Sequence, residues 1–328
     1  MQNYQKKYDE YRSLVESYLK NSDINTQPAS LYEPVRYVIS GGGKRLRPLL
    51  TMLSAETFGG DINQALVAGA AIELLHNFTL VHDDIMDNAN ARRGRPTVHR
   101  KWNSDTAILA GDQLIAIAYD TLLNISLKNS GKILKVFTNA IIEVCEGQSY
   151  DKDFETQKNV LMQDYLMMIT KKTAKLLEAC TLTGGLIADA SDEDLKNLGG
   201  YAINLGLAFQ ILDDLLDVTG DEKTFGKMTG GDIREGKKTY LYLKACELAS
   251  EKNDKNLLLK IADKNPEIKE IEFGLKIKTL FERLGVILSA KDAVEFYTSE
   301  VNKYLDNLSV KNTEQLRWFA GMLLNRKF

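Results

Sequence analysis

Five prolines punctuate the chain, and none falls between Pro96 and Pro266. Proline removes a backbone donor and breaks helix interiors. A long interval without it, rich in Leu, Ala, Lys and Glu, therefore favours helix after helix. The interval also lacks alternating Val, Ile and Thr between turn residues, the mark of strands; apolar residues recur every three to four positions instead. The spacing predicts helices over 4–20, 30–40, 45–58, 62–88, 103–126, 130–150, 157–188, 192–218, 237–249, 254–263, 274–288, 291–307 and 311–325. Start signals agree: Ser191 with Asp194 forms a capping-box pattern, and Asn103 and Asn312 can cap. Connections are short and no low-complexity tract or linker interrupts them, so the expectation is one all-α domain over residues 1–328.

Composition narrows the function. Of 328 residues, 44% are hydrophobic and 27% charged, which excludes disorder as the main state. A net charge of -3 and a pI of about 5.8 argue against a general nucleic-acid binder, so basic residues that hold an anion must be placed locally. Cys145, Cys180 and Cys246 are scattered with no CxxC pair, which suits a reducing cytoplasm. The stretch 1–20 lacks a signal peptide's apolar core and carries acids that a transit peptide avoids. The longest apolar runs, 65–75 and 205–212, are bounded by charge, so no membrane span is expected.

The chemistry begins at Asp83-Asp84-Ile85-Met86-Asp87, after an apolar helical run over 70–81. Asp83 and Asp87 stand one helical turn apart on one face. Three carboxylates in five residues repel each other; hard divalent ions are their natural partner, and Mg²⁺ shares its shell with waters and phosphate oxygens. Asp213-Asp214-Leu215-Leu216-Asp217 repeats the pattern after another apolar run. If the two helices run side by side, metal ions between the clusters could hold a polyanion. Gly41-Gly42-Gly43-Lys44-Arg45-Leu46-Arg47-Pro48 lets backbone approach a ligand and adds local positive charge at a helix start; it lacks P-loop spacing. Arg92-Arg93-Gly94-Arg95-Pro96 follows the first acidic cluster, and arginine forks suit diphosphate oxygens.

These motifs, with Lys171-Lys172-Thr173, Phe209-Gln210 before the second cluster, and Gly230-Gly231-Asp232 to Thr239, stand in one order across residues 41–239. In that order the chain resembles the trans-isoprenyl diphosphate synthases of the polyprenyl synthetase family. The resemblance implies a homodimer of helical barrels, about 10–13 helices around a central cavity in each subunit. It implies head-to-tail condensation of isopentenyl diphosphate onto an allylic diphosphate, with Mg²⁺, three ions per site, bridging the allylic diphosphate between the aspartate motifs. By the same resemblance Asp83, Asp87 and Asp213 are the metal ligands, with Asp84, Asp214 and Asp217 supporting. Arg92, Lys172, Lys227 and Lys237 contact the allylic diphosphate. Lys44, Arg47, His76 and Arg93 form the isopentenyl diphosphate pocket, and Arg45 is supporting. Thr173 and Gln210 turn oxygens toward an allylic cation, and the departing diphosphate takes the proton. Gly230, Gly231 and Gly236 flank basic residues as a closing flap requires.

Other positions carry plainer readings. His82 is expected to be structural, His99 and Trp102 to be packing or surface residues, and Gln148 and Asp151 to line the cavity. The growing product should run along helix 62–88, about 5.4 Å per turn, so Phe78, Thr79 and Leu75 form the expected floor, with Ile72 beyond. One aromatic five positions before an uninterrupted DDxxD resembles the archaeal-type geranylgeranyl synthases and favours a C20 product, ahead of C15 farnesyl or longer chains. A terpene cyclase shares the helical fold but usually has an Asn-Ser-Glu second motif. A non-catalytic regulatory subunit typically loses one acidic motif, and this chain keeps both.

Overall fold

The computed structural model describes residues 2–22, 24–220, 230–269 and 271–325. Lys227 lies outside the described residues. Chain contacts group into two compact units, each assembled from separated stretches. The first comprises Met1–Ile141, Ala179–Leu198 and Leu308–Trp318; the second comprises Ile142–Glu178, Gly199–Asn307 and Phe319–Phe328. The described residues are all-α apart from one two-residue ladder.

The first unit opens with α1 (Gln2–Asn21), α2 (Ala29–Ile39), α3 (Leu46–Thr57) and α4 (Ile62–Met86). A tight antiparallel hairpin, β1 (Ala91–Arg92) with β2 (Arg95–Pro96), follows, then α5 (Val98–Lys101) and α6 (Ser104–Leu123). Helix α4 is the unit's spine and packs on α3 and α6. Its start is fixed by the Asp61 carboxylate, which accepts from Asn63 N at 2.8 Å and Gln64 N at 3.4 Å. Asn103 caps α6 as expected, accepting from Thr106 N at 2.8 Å. The Ser191 and Asp194 box is also present: Ser191 Oγ accepts from Asp194 N at 3.1 Å and donates to Asp194 Oδ2 at 2.7 Å.

By length and composition α4 and α6 are apolar enough to cross a membrane, with mean hydropathy 1.3 and 1.2 over their best windows. Each helix carries isolated polar residues among apolar ones, so neither stands out as an uninterrupted apolar run. Most of that window in α4 is buried within the chain, as a core helix requires. Less of α6 is buried, and Ile108, Leu109 and Leu123 stand exposed.

Helix α7 (Ser130–Thr156) outlasts its predicted end by six residues and so carries Asp151 within its last turns. The predicted helix 157–188 resolves into α8 (Met162–Ile169), a π-turn over Thr170–Ala174, and α9 (Lys175–Ile187). Helix α10 (Asp192–Thr219) ends with the second aspartate motif. In the second unit Ile211, Leu212 and Leu215 of α10 are buried in one core with Tyr240, Leu241, Ile277 and Phe281. A short helix over Gly231–Glu235 precedes those over Tyr240–Leu248, Lys252–Ala262, Ile271–Arg283, Val286–Asp306 and Glu314–Leu324. The break between the fourth and fifth of these falls at Gly285, whose φ of 73° ends one helix and starts the next, a few residues earlier than the spacing predicts. Thr313, rather than Asn312, stands immediately before Glu314.

Candidate active site

In the first unit the glycine-rich turn and the arginine hairpin meet. Gly43 has φ 140°, which L side chains rarely adopt, and a Cβ there would lie 3.0 Å from Arg93 Cζ, so the backbone conformation favours glycine where the turn passes the guanidinium. Arg93, itself at φ 52°, donates through Nη1 to the Gly42 carbonyl. The basic residues of the turn then divide by role. Arg45 is buried and reaches Glu16 at 2.9 Å, Glu73 at 2.8 Å and the Ile39 carbonyl at 2.9 Å. Its charge is paired inside the fold. Arg47 is half-buried, and its Nε is buried without a hydrogen-bond partner. An unpaired buried guanidinium nitrogen is costly. Burial pulls the Arg47 pKa down, with Cys180 and Glu73 opposing.

His76 lies in the same field. Burial first, then Arg47, Arg93, Arg92 and Arg45, hold its pKa well below the usual imidazole value, so it is neutral and can donate or accept a hydrogen bond. Burial also lowers Arg93, with the Arg45, Arg92 and Arg47 charges adding and Glu73 opposing. Arg47 and Arg93 thus set a positive surplus around the neutral His76, the arrangement that an anion relieves. Lys44 is exposed at the mouth of the turn, and its carbonyl accepts from Tyr8 Oη at 2.8 Å.

The first aspartate motif ends α4. Asp84 is buried and accepts from Arg92 Nε at 2.8 Å, so the arginine is held by the middle aspartate. Burial raises the Asp84 pKa, and Arg92 opposes that rise. Asp83 is half-buried and Asp87 exposed. Phe78 stacks edge-on to His82 with ring centroids 4.8 Å apart, and His82 Nε2 lies 3.3 Å from the Ile108 carbonyl of α6. His82 is thus packed between α4 and α6. Leu75 is buried, and Thr79 Oγ1 donates back to the His76 carbonyl at 2.8 Å. His99 has both ring nitrogens buried without hydrogen-bond partners.

In the second unit a cavity of about 120 Å³ is lined by Asp151, Tyr165, Lys172, Thr173, Gln210 and Asp214, together with Asp232 and Lys237 to Thr239. The π-turn presents Lys172 and Thr173 to it, and two glycines make the turn possible. A Cβ on Gly147 would lie 2.7 Å from Lys172 Cα, and one on Gly206 would lie 2.6 Å from Ala174 Cα. Insertions of this kind in helices gather at functional sites. Lys172 Nζ donates to Asp151 Oδ2 at 2.6 Å. Thr173 Oγ1 donates to Gln210 Oε1 at 3.1 Å, and Gln210 Nε2 donates to Asp214 Oδ1 at 3.2 Å. Gln148 is buried on α7.

The second aspartate motif splits in the same manner as the basic turn. Asp213 is exposed. Asp214 is buried, and its Oδ2 accepts from Tyr165 Oη at 2.6 Å and Tyr240 N at 3.1 Å. Burial, then the Asp232 carboxylate, pushes its pKa up to about 7, while its three donors favour the ionised form. Asp217 accepts from Gly231 N at 3.2 Å and Asp232 N at 3.0 Å. Asp214 and Asp217 therefore tie down the glycine-rich segment 230–240, and Asp213 stays at the surface. Lys237 pairs with Glu235 at 2.6 Å and Asp232 at 3.4 Å.

Tyr165 and Asp232 were not singled out from sequence. Asp232 had a local signal, standing in a glycine pair's wake beside basic residues; Tyr165, an ordinary helical tyrosine, had none. Among the described residues no three His, Cys, Asp or Glu side chains gather into a metal cage. Asp83 and Asp87 in the first unit, and Asp213 in the second, each offer carboxylate oxygen alone, which fits hard cations that complete their shells with water and a ligand's own oxygens.

Comparison with known proteins gives one answer. The family described as Polyprenyl synthetase matches residues 28–277. The chain is 41% identical over 314 residues to a geranylgeranyl diphosphate synthase of Sulfolobus acidocaldarius, covering 93% of this chain and 94% of that one. It is 45% identical over 248 residues to a short chain isoprenyl diphosphate synthase of Methanocaldococcus jannaschii, covering 75% and 76%. The crystal structure of a geranylgeranyl pyrophosphate synthetase from Pyrococcus horikoshii superposes with a TM-score of 0.91 at 36% identity, over 99% of this chain and 100% of that one.

Proposed function

Because the chain belongs to the polyprenyl synthetase family, we propose that it condenses isopentenyl diphosphate head-to-tail onto allylic diphosphates and makes the C20 geranylgeranyl diphosphate. The allylic carbon–oxygen bond breaks and inorganic diphosphate leaves. A carbon–carbon bond forms to isopentenyl diphosphate, and the diphosphate takes the proton lost from the new chain. The observation that carries this reading is the cluster of Arg47, His76 and Arg93, with one guanidinium nitrogen buried and unpartnered. It suits a second anionic substrate, which a terpene cyclase does not use.

Arg93, Arg47, His76 and Lys44 bind isopentenyl diphosphate in this reading. Arg92, Lys172, Lys237 and Lys227 bind the allylic diphosphate. Asp83, Asp87 and Asp213 would hold Mg²⁺, whose charge offsets the negative charge growing on the leaving diphosphate. Thr173 and Gln210 turn their oxygens to the allylic cation, with Gln210 fixed in orientation by its bond to Asp214. Asp214 and Asp217 hold the 230–240 segment, which excludes water from the cation. Phe78, with Thr79 and Leu75, sets the floor for the growing chain. The exposed apolar side chains of α6 support a homodimer: Leu109 is 58% and Leu123 68% exposed.

The test is incubation of the purified chain with Mg²⁺, isopentenyl diphosphate and dimethylallyl, geranyl or farnesyl diphosphate, followed by chromatography of the dephosphorylated products. Release of diphosphate with a C20 product is expected. A C15 or longer product corrects the chain length alone. No turnover by the chain on its own rejects the catalytic reading in favour of a regulatory subunit.

A further inference from the structure

Helix α7 delivers Asp151 to the cavity of the second unit, and Asp151 holds Lys172. The position of both therefore depends on how the last turn of α7 ends. Four terminal carbonyls of any helix lack intrahelical partners, and cations are favoured beside them. The last turn of α7 has no basic residue of its own. Lys238 supplies one from a segment more than eighty residues away: its buried Nζ donates to the carbonyls of both Phe154 and Gln157. The neighbouring residue, Lys237, lines the same cavity as Asp151 and feels its charge. Two residues past Lys238, Tyr240 N is bonded to Asp214. A second pair reaches the same turn, Lys264 to Glu155 at 2.8 Å, but it lies at the surface where water screens it.

We propose that Lys238 is a positioning residue for the transfer reaction, a clamp that locks the end of α7 to the 237–240 segment. It thereby fixes Asp151, Lys172 and Lys237 in register around the allylic diphosphate. The inference rests on the proposed prenyl transfer for its catalytic consequence. Its structural content, an inter-segment cap on α7, stands on the hydrogen bonds alone. Both adjacent lysines line the cavity, but their charges are used differently: Lys237 Nζ pairs with acidic side chains, and Lys238 Nζ is committed to backbone carbonyls. Arginine can keep such a clamp, because it is a charged donor of similar reach; methionine fills the space and cannot.

The experiment compares the full chain with Lys238→Met, Lys238→Arg and Lys264→Met in steady-state kinetics and amide hydrogen exchange. For Lys238→Met, kcat should fall about 10- to 100-fold through misplacement of the binding groups. Its KM for isopentenyl diphosphate should stay within about twofold. Exchange should quicken at 153–157 and 237–240. Lys238→Arg should restore most of the rate and the protection, and Lys264→Met should leave both unchanged. Turnover of Lys238→Met within about twofold of the unaltered chain overturns the proposal. So does a loss that arginine fails to recover, or one that Lys264→Met shares. If Lys238→Met does not stay folded, Lys238→Gln, which keeps a donor without charge, is read by the same criteria. An unaltered chain that releases no diphosphate rejects the prenyl transfer instead. The clamp is then decided by exchange, and unchanged protection in Lys238→Met would overturn it.

Discussion

Gly147→Ala should damage catalysis from inside a helix that any propensity scale says alanine improves. The new Cβ would lie 2.7 Å from Lys172 Cα and closer still to Lys172 N, where ordinary contact begins at 3.4 Å. Both neighbours are backbone, so no side chain can swing aside. The π-turn and α7 must separate by about 1 Å, an overpacking strain of up to about 3 kcal/mol. Alanine's helix preference returns about 1 kcal/mol. A net loss of about 2 kcal/mol remains, which should lower the melting temperature by several degrees. The same shift carries Lys172 away from Asp151 and Thr173 away from Gln210, and a displacement of that size can cost about 100-fold in kcat. Gly131→Ala is the control on the same helix: nothing lies within 4 Å of its Cβ, so it should be neutral or slightly stabilising. Thermal melts and diphosphate-release kinetics on both variants decide the matter. A Gly147→Ala chain that melts and turns over like Gly131→Ala would show that the π-turn is not held by this contact.

Asp83→Ala and Asp213→Ala should each lose orders of magnitude in kcat at saturating Mg²⁺ while melting normally, and chelation should abolish turnover; near-normal rates in either variant would reject them as ligands. Arg93→Ala should chiefly raise KM for isopentenyl diphosphate, whereas Arg92→Ala should act on the allylic substrate, so an equal effect of both changes on both substrates would refute the division into two pockets. Phe78→Ala should lengthen the product by one or more isoprene units in chromatography, and an unaltered product distribution would place the floor elsewhere.

The helices, their approximate ends and the two acidic clusters were legible in the sequence, because helix formation depends on local spacing, proline and caps. Asp61, Asn103 and Ser191 fix helix starts through neighbours only two or three residues away. Local pattern could not sort like residues into different jobs. In Lys44-Arg45-Leu46-Arg47, only packing buries Arg45 against Glu16 and Glu73 and leaves Arg47 Nε without a partner. In Asp213-Asp214-Leu215-Leu216-Asp217, the fold leaves Asp213 exposed and turns Asp214 and Asp217 into anchors for backbone donors at 231–240. The π-turn at 170–174 likewise had no signal in its own residues. It exists because Gly147 and Gly206, distant in sequence, let two helices close on it. Sequence spacing decides which side chains share a helix face; whether a charge is solvated, paired or left wanting a ligand depends on atoms brought from elsewhere in the chain, and that only tertiary packing decides.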